Sequence, residues 1–211
     1  MRITKYEHAC FVAEIADKKL VVDPGGFTVP LPDNNNIVAV VVTHEHADHW
    51  TPEQLQRILE HSPEAKLFGP AGVADAASDF DFTVVNAGDQ IDVEPFHLEF
   101  FGEKHAEIHS SIPLVDNVGV LINDTVFYPG DSFTAPPTQV ELLAVPSSAP
   151  WLKIGEVMDY VIAANPKRTF PTHEMVNSVI GNGMANGRIE AVTSQGGGEF
   201  FPLEPGESIE L

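Results

Sequence analysis

The chain reads as a mixed α/β protein whose strands end on metal-binding side chains, and three observations predict it. Short apolar, β-branched runs alternate in mixed order with amphipathic stretches along the 211 residues. Three of those runs lead into His or Asp within turn-forming sequence. Both halves follow this logic, as a pseudo-symmetric sandwich would, although their sequences are too unlike to count as a repeat.

Taken in order, residues 3–6, 10–15 and 19–22 form a short antiparallel set that Asp23-Pro24-Gly25-Gly26 ends with turn residues. A polar, proline-broken loop over 29–36 precedes an apolar strand at 37–43. Thr51-Pro52-Glu53 then supplies a cap, a proline at the first helical position and an acidic first turn. The helix expected over 52–61 carries Leu55, Ile58 and Leu59 on one face. A strand at 66–68, a short helix at 70–77 and strands at 82–85, 90–93 and 96–101 complete the first half. The second half has strands at 117–122 and 125–128 ahead of Pro129-Gly130-Asp131-Ser132, a buried strand at 142–145 and a helix at 154–165. A strand at 168–170 runs into Pro171-Thr172-His173-Glu174. From Gly181 onward the tail is rich in glycine and reads as flexible loop, with a last strand at 199–201.

Composition bounds the function. With 43% hydrophobic residues the chain can bury one substantial core, and one domain over 1–211 is expected. Eleven Lys and Arg against 31 Asp and Glu give a net charge of −20, and the cations form no run. Such a field repels phosphate backbones and anionic lipid, so neither nucleic acid nor membrane is an expected partner. The lone Cys10 allows no intrachain disulfide and reads as a small buried apolar residue. No signal-like leader and no apolar segment of about 20 residues is present, which points to a cytoplasmic protein.

The sharpest local signal is Thr43-His44-Glu45-His46-Ala47-Asp48-His49, directly behind the apolar run 37–42. Imidazole nitrogen and carboxylate oxygen bind zinc and similar divalent ions, and capping a helix needs one Thr, not three histidines. If the chain stays extended there, His44, His46 and Asp48 point to one side and His49 to the other. One segment would then serve two adjacent ions, His44 and His46 for the first, Asp48 and His49 for the second.

At these residues the chain resembles the metallo-β-lactamase superfamily, whose His-x-His-x-Asp-His pattern is matched by His44, His46, Asp48 and His49. Within it the chain is most similar to the compact ascorbate-6-phosphate lactonase-like branch, which opens like His8-Ala9-Cys10-Phe11 followed by Asp23-Pro24. The resemblance implies an αββα sandwich with a metal site along one edge. It also implies a later His, here His105 or His109, a Gly-Asp pair at Gly130-Asp131 and a final His at His173. His105 follows the strand 96–101 more closely than His109 and is favoured for the first ion. Asp131 is placed to bridge two ions, and His173 to complete the second.

Other residues carry weaker signals. His8 points into the site mouth or merely ends a strand turn, and Asp23 suits an acceptor that fixes an imidazole tautomer. Glu45 reads as a surface residue or salt-bridge partner; Trp151 reads as core packing, with a wall of the pocket as the alternative, and Lys153 as solvated charge, with a contact to an anionic group as the alternative.

The expected cofactors are two divalent ions, zinc or manganese, with iron also accepted by such donors. The expected chemistry is hydrolysis of a small-molecule ester, lactone or phosphodiester by water, with Asp48 and Asp131 as the catalytic carboxylates. The competing readings are an iron-dependent thiol oxygenase or other redox member of the superfamily, and a non-catalytic metal-binding protein. Specificity is expected from loops near 24–36, 102–116, 132–153 and 174–198, whose composition suits a small polar substrate. Assembly into a homo-oligomer stays open.

Overall fold

Strand periodicity sets the layers. In the computed structural model, which describes residues 1–211, Phe96, Leu98 and Phe100 point inward while the residues between them lie partly exposed, the period-two pattern of a half-buried strand. Seven strands build each of two sheets. The first contains β1 (Arg2–Lys5), β2 (Phe11–Ile15), β3 (Lys18–Val22), β4 (Ile37–Val41), β5 (Lys66–Gly69) and β6 (Phe82–Val84) side by side. The second contains β7 (Gln90–Val93), β8 (Phe96–Phe101), β9 (Gly119–Ile122), β10 (Val126–Tyr128), β11 (Leu142–Pro146), β12 (Arg168–Thr172) and β13 (Glu199–Phe200). The last strand, β14 (Ser208–Glu210), returns to pair antiparallel with β1.

Three apolar clusters make this a four-layer αββα sandwich. Between the sheets, Phe11, Ala13, Leu20, Val22 and Val41 share one core with Phe96, Phe100, Ile122, Tyr128 and Phe170. On the outer face of the first sheet, Val12, Val21, Val40 and Val42 pack with Leu55 and Ile58 of α1 (Pro52–His61) and Val73 of α2 (Ala71–Ala76). On the outer face of the second, Phe127, Leu143 and Val145 meet α3 (Ile154–Ala164) and α4 (Val179–Gln195) through Val157, Val161, Ile189 and Val192. The Thr51 cap is present, its side chain accepting from the Gln54 N–H at 3.3 Å. No helix is long and apolar enough to cross a membrane.

Helix α4 corrects the sequence reading, which assigned its residues from Gly181 onward to flexible loop. Its glycines disfavour a helix, but Ser178 caps it by accepting from Gly181 N at 3.1 Å. Ala185, Ile189 and Val192 are buried, and that packing outweighs propensity. The strand β14 was not anticipated either, because only Ile209 of its three residues is buried.

Candidate metal centre

Strand direction gathers the candidate residues at one edge. β3 and β4 are parallel; β8 and β10 both run antiparallel to β9, and β10, β11 and β12 are parallel. The segment His44–His49 follows the carboxyl end of β4, His105 that of β8, Asp131 that of β10 and His173 that of β12. Two glycines allow the approach. A Cβ on Gly25 would lie 1.7 Å from the Asp48 carbonyl oxygen, so the turn after β3 lies directly against the Asp48–His49 backbone. Gly130 has φ +65, and a Cβ there would lie 2.4 Å from Asn117 Oδ1; only glycine adopts that conformation in that space.

The segment 44–49 is not extended. It bends at His44 and Glu45 and turns through Ala47-Asp48-His49, with the His49 N–H donating to the His46 carbonyl at 3.0 Å. The turn, not strand alternation, separates the side chains into two sets. His44 Nε2 and His46 Nδ1 lie 3.1 Å apart beside His105, while Asp48 and His49 group with His173 and His8. Donor atoms within each set all lie within 4.8 Å of one another. Asp131 stands between the sets: Oδ1 is 3.4 Å from His49 Nε2, and Oδ2 is 3.4 Å from His105 Nε2 and 3.1 Å from His173 Nε2. His109, the alternative to His105, is exposed and pairs with Ser111 Oγ at 2.8 Å, outside the cluster.

Outer hydrogen bonds aim the rings. His49 Nδ1 donates to Asp23 Oδ2 at 2.7 Å, His173 Nδ1 to the Ser148 carbonyl at 2.6 Å and His105 Nδ1 to the Ala106 carbonyl at 2.5 Å. Thr43 Oγ1 donates to Asp23 Oδ2 at 2.7 Å and lies 3.1 Å from His44 Nδ1. In the neutral ring, a proton held on the outer nitrogen leaves a lone pair on the inner one, the arrangement that metal-binding histidines need. The inner atoms His49 Nε2, His105 Nε2, His173 Nε2 and Asp131 Oδ1 are buried without a hydrogen-bond partner. Buried polar atoms are rarely left so. Nitrogen and oxygen atoms converging from three sides fit divalent cations and supply the partners those atoms lack.

Charge is distributed unevenly across the centre. Burial pushes His44 well below the usual imidazole pKa, with His49 adding repulsion, and burial with His105 lowers His46. At His49 burial is outweighed by Asp131 and Asp23, and the pKa rises. At His173 it is outweighed by Asp131 and Asp48, and the pKa rises to about 10. Burial would raise both carboxyls, yet His173 and His49 hold Asp131, and His173 and His8 hold Asp48, far below the usual carboxylate range.

Two further residues join the centre, and for Asn117 the sequence carried no signal. Trp151, expected in core packing, donates its indole N–H to Asp131 Oδ2 at 2.8 Å. Buried Asn117 accepts from the Asp131 backbone N–H at 3.0 Å and donates to the Pro129 carbonyl at 2.9 Å, bracing the turn that presents Asp131. Lys153 remains at the surface, paired with Glu156 at 3.3 Å.

With fold and site in place, comparison with known proteins places the chain. Residues 2–173 match the model of the Beta-lactamase superfamily domain, and the chain belongs to that family, with a metallo-β-lactamase fold. It is 32% identical over 199 residues to Protein Rv0786c of Mycobacterium tuberculosis, covering 92% of this chain and 93% of the relative. A UPF0173 metal-dependent hydrolase of Saccharolobus solfataricus is 26% identical over 59% of each chain. The structure of Igni18, a metallo hydrolase from Ignicoccus hospitalis, superposes with TM-score 0.75 at 18% identity, covering 99% of this chain and 97% of that one.

Proposed function

We propose that the chain is a metal-dependent hydrolase that holds two divalent ions and directs water against a small ester, lactone or phosphodiester. One observation carries the reading: the buried, unpartnered inner atoms of His49, His105, His173 and Asp131 converge between two donor sets. His44, His46 and His105 would hold one ion, Asp48, His49 and His173 the other, and Asp131 both. Zinc or manganese suits these donors, and iron is also compatible. Ions bound there lower the pKa of water toward neutrality and polarise a carbonyl or phosphoryl oxygen.

The chain's own residues define the rest. The Asp48 side chain is 25% exposed while Asp131 and His173 are buried, so Asp48 marks the open side and can accept a hydrogen bond from the attacking water. Trp151 and Asn117 hold Asp131 from behind, which fixes the relation of one donor set to the other. The sole cysteine lies fully buried in the apolar cluster beneath α1, where burial pushes its thiol up, so it offers no competing nucleophile. A relative described as a metal-dependent hydrolase supports the reading.

The test is metal analysis of protein purified without chelator, followed by hydrolysis assays on lactones, esters and phosphodiesters for wild type and Asp131→Asn. Two ions per chain and a loss of activity of about 100-fold or more in the variant are expected. Metal-loaded protein inert toward the whole panel, or oxygen uptake with small thiols, would overturn the assignment.

A further inference from the structure

We propose that His8 is a positioning residue for the second ion, its Nε2–H holding the Asp48 carboxylate in its binding orientation; this rests on the two-ion reading above. His8 is fully buried in the turn between β1 and β2, with φ 63. Two backbone bonds fix it there: its N–H donates to Glu174 Oε1 at 3.0 Å, and its carbonyl accepts from the His173 N–H at 2.9 Å. The same Glu174 oxygen accepts from Lys5 Nζ at 2.7 Å, and Lys5 is itself fully buried. A buried ammonium is retained only when paired, so the Lys5–Glu174 pair anchors the His8 turn to the His173 segment. The His8 ring then lies 3.9 Å from that of His173, and its Nε2 reaches Asp48 Oδ2 at 3.0 Å.

A contrast within the site assigns the role. In His49, His105 and His173 the outer nitrogen is hydrogen-bonded and the inner one is open. His8 is reversed: the nitrogen nearest the cluster is bonded to Asp48, and the buried Nδ1 has no partner. An ionised carboxylate only accepts, so the proton between them belongs to His8 Nε2. That hydrogen bond is the one the Asp48 carboxylate receives from the protein, whereas Asp131 has Trp151. His8 therefore does for Asp48 what Trp151 does for Asp131.

The experiment titrates chelator-stripped protein with Zn(II) by calorimetry and with Co(II) by visible absorption. His8→Asn tolerates the left-handed backbone, but its amide nitrogen falls at the Nδ1 position, short of Asp48. His8→Gln carries its amide nitrogen out to the Nε2 position. The second ion should bind about 10–100-fold more weakly to His8→Asn, and recover to within about 3-fold of wild type in His8→Gln. The first-ion affinity and the melting temperature of stripped protein should hold in both. The proposal is overturned if His8→Asn binds the second ion normally, if both ions and the melting temperature fall together, or if His8→Gln is no better than His8→Asn. Wild type that takes up fewer than two ions refutes the two-ion reading itself, and with it the proposal, before any variant is considered.

Discussion

The two donor sets flanking Asp131 use similar groups but sit in different electrostatic surroundings. His44 is buried and His46 half-buried among other imidazoles, and their pKa values are lowered. His49 and His173 face Asp131, with Asp23 and Asp48 beside them, and theirs are raised. Burial and neighbouring imidazoles thus disfavour a proton on His44 and His46, while the carboxylates around His49 and His173 favour one there. On the two-ion proposal, the pattern of neighbouring charges, not ligand identity, would make one half of the centre depend on proton release.

The change expected to break this comparison most completely is Gly25→Ala. The new Cβ would meet the Asp48 carbonyl oxygen at 1.7 Å and His49 N at 2.6 Å, both backbone atoms that cannot move aside independently. The Asp48–His49 turn must shift, which is expected to cost about 3 kcal/mol of stability. Second-ion binding should be abolished, while the first ion, held by residues outside that turn, still binds. Calorimetric metal titration alongside thermal melting checks this. Retention of both ions would show that the close packing of the two turns does not position the second set.

How far the sequence revealed the site depended on whether the signal was local. The cluster His44, His46, Asp48 and His49 is legible because four donors crowd one segment behind a strand, and Asp131 and His173 because each follows a strand end. Asp23 was legible as a tautomer-fixing acceptor from its place after a strand. Asn117 was not, and Trp151 and His8 were legible only as weaker alternatives, since the three roles come from contacts 14, 20 and 40 residues away in the chain. In the fold, α1 was legible from its cap and apolar face, whereas α4 was hidden because its stability comes from packing on α3 and β12 that overrides three weak glycine positions. The extended backbone assumed over 44–49 failed for a similar reason: the turn is set by its tight contact with Gly25.

A smaller effect sharpens the comparison through pH. His173 has a folded pKa of about 10, above its usual 6.5, so its proton stabilises the metal-free protein fully below about pH 6.5, and that contribution is lost as pH rises through about 10. The stripped protein should therefore lose melting temperature between neutral and alkaline pH. Over the same range second-ion affinity should rise, by about 10-fold per pH unit for each proton displaced, because the ion replaces protons on His49 and His173. First-ion affinity should rise less steeply over the same range, since burial already lowers His44 and His46. Chelator competition at several pH values measures both; parallel slopes for the two ions would erase the distinction drawn between the sets.

The smallest expected effect comes from Trp151→Phe, and it discriminates by symmetry. The indole N–H reaches Asp131 Oδ2, the oxygen that faces both His105 at 3.4 Å and His173 at 3.1 Å. Phenylalanine keeps an aromatic ring beside Phe133, whose centroid lies 5.2 Å from that of Trp151, and removes only the donor. Loss of a group that orients a ligand should weaken metal binding by about 10-fold, with a change in stability of about 1 kcal/mol. Because the freed oxygen serves both sets, the weakening should fall on both ions alike, unlike Gly25→Ala or a change of pH. Selective loss of the second ion in Trp151→Phe would instead mean that Asp131 belongs to one set and does not join the two.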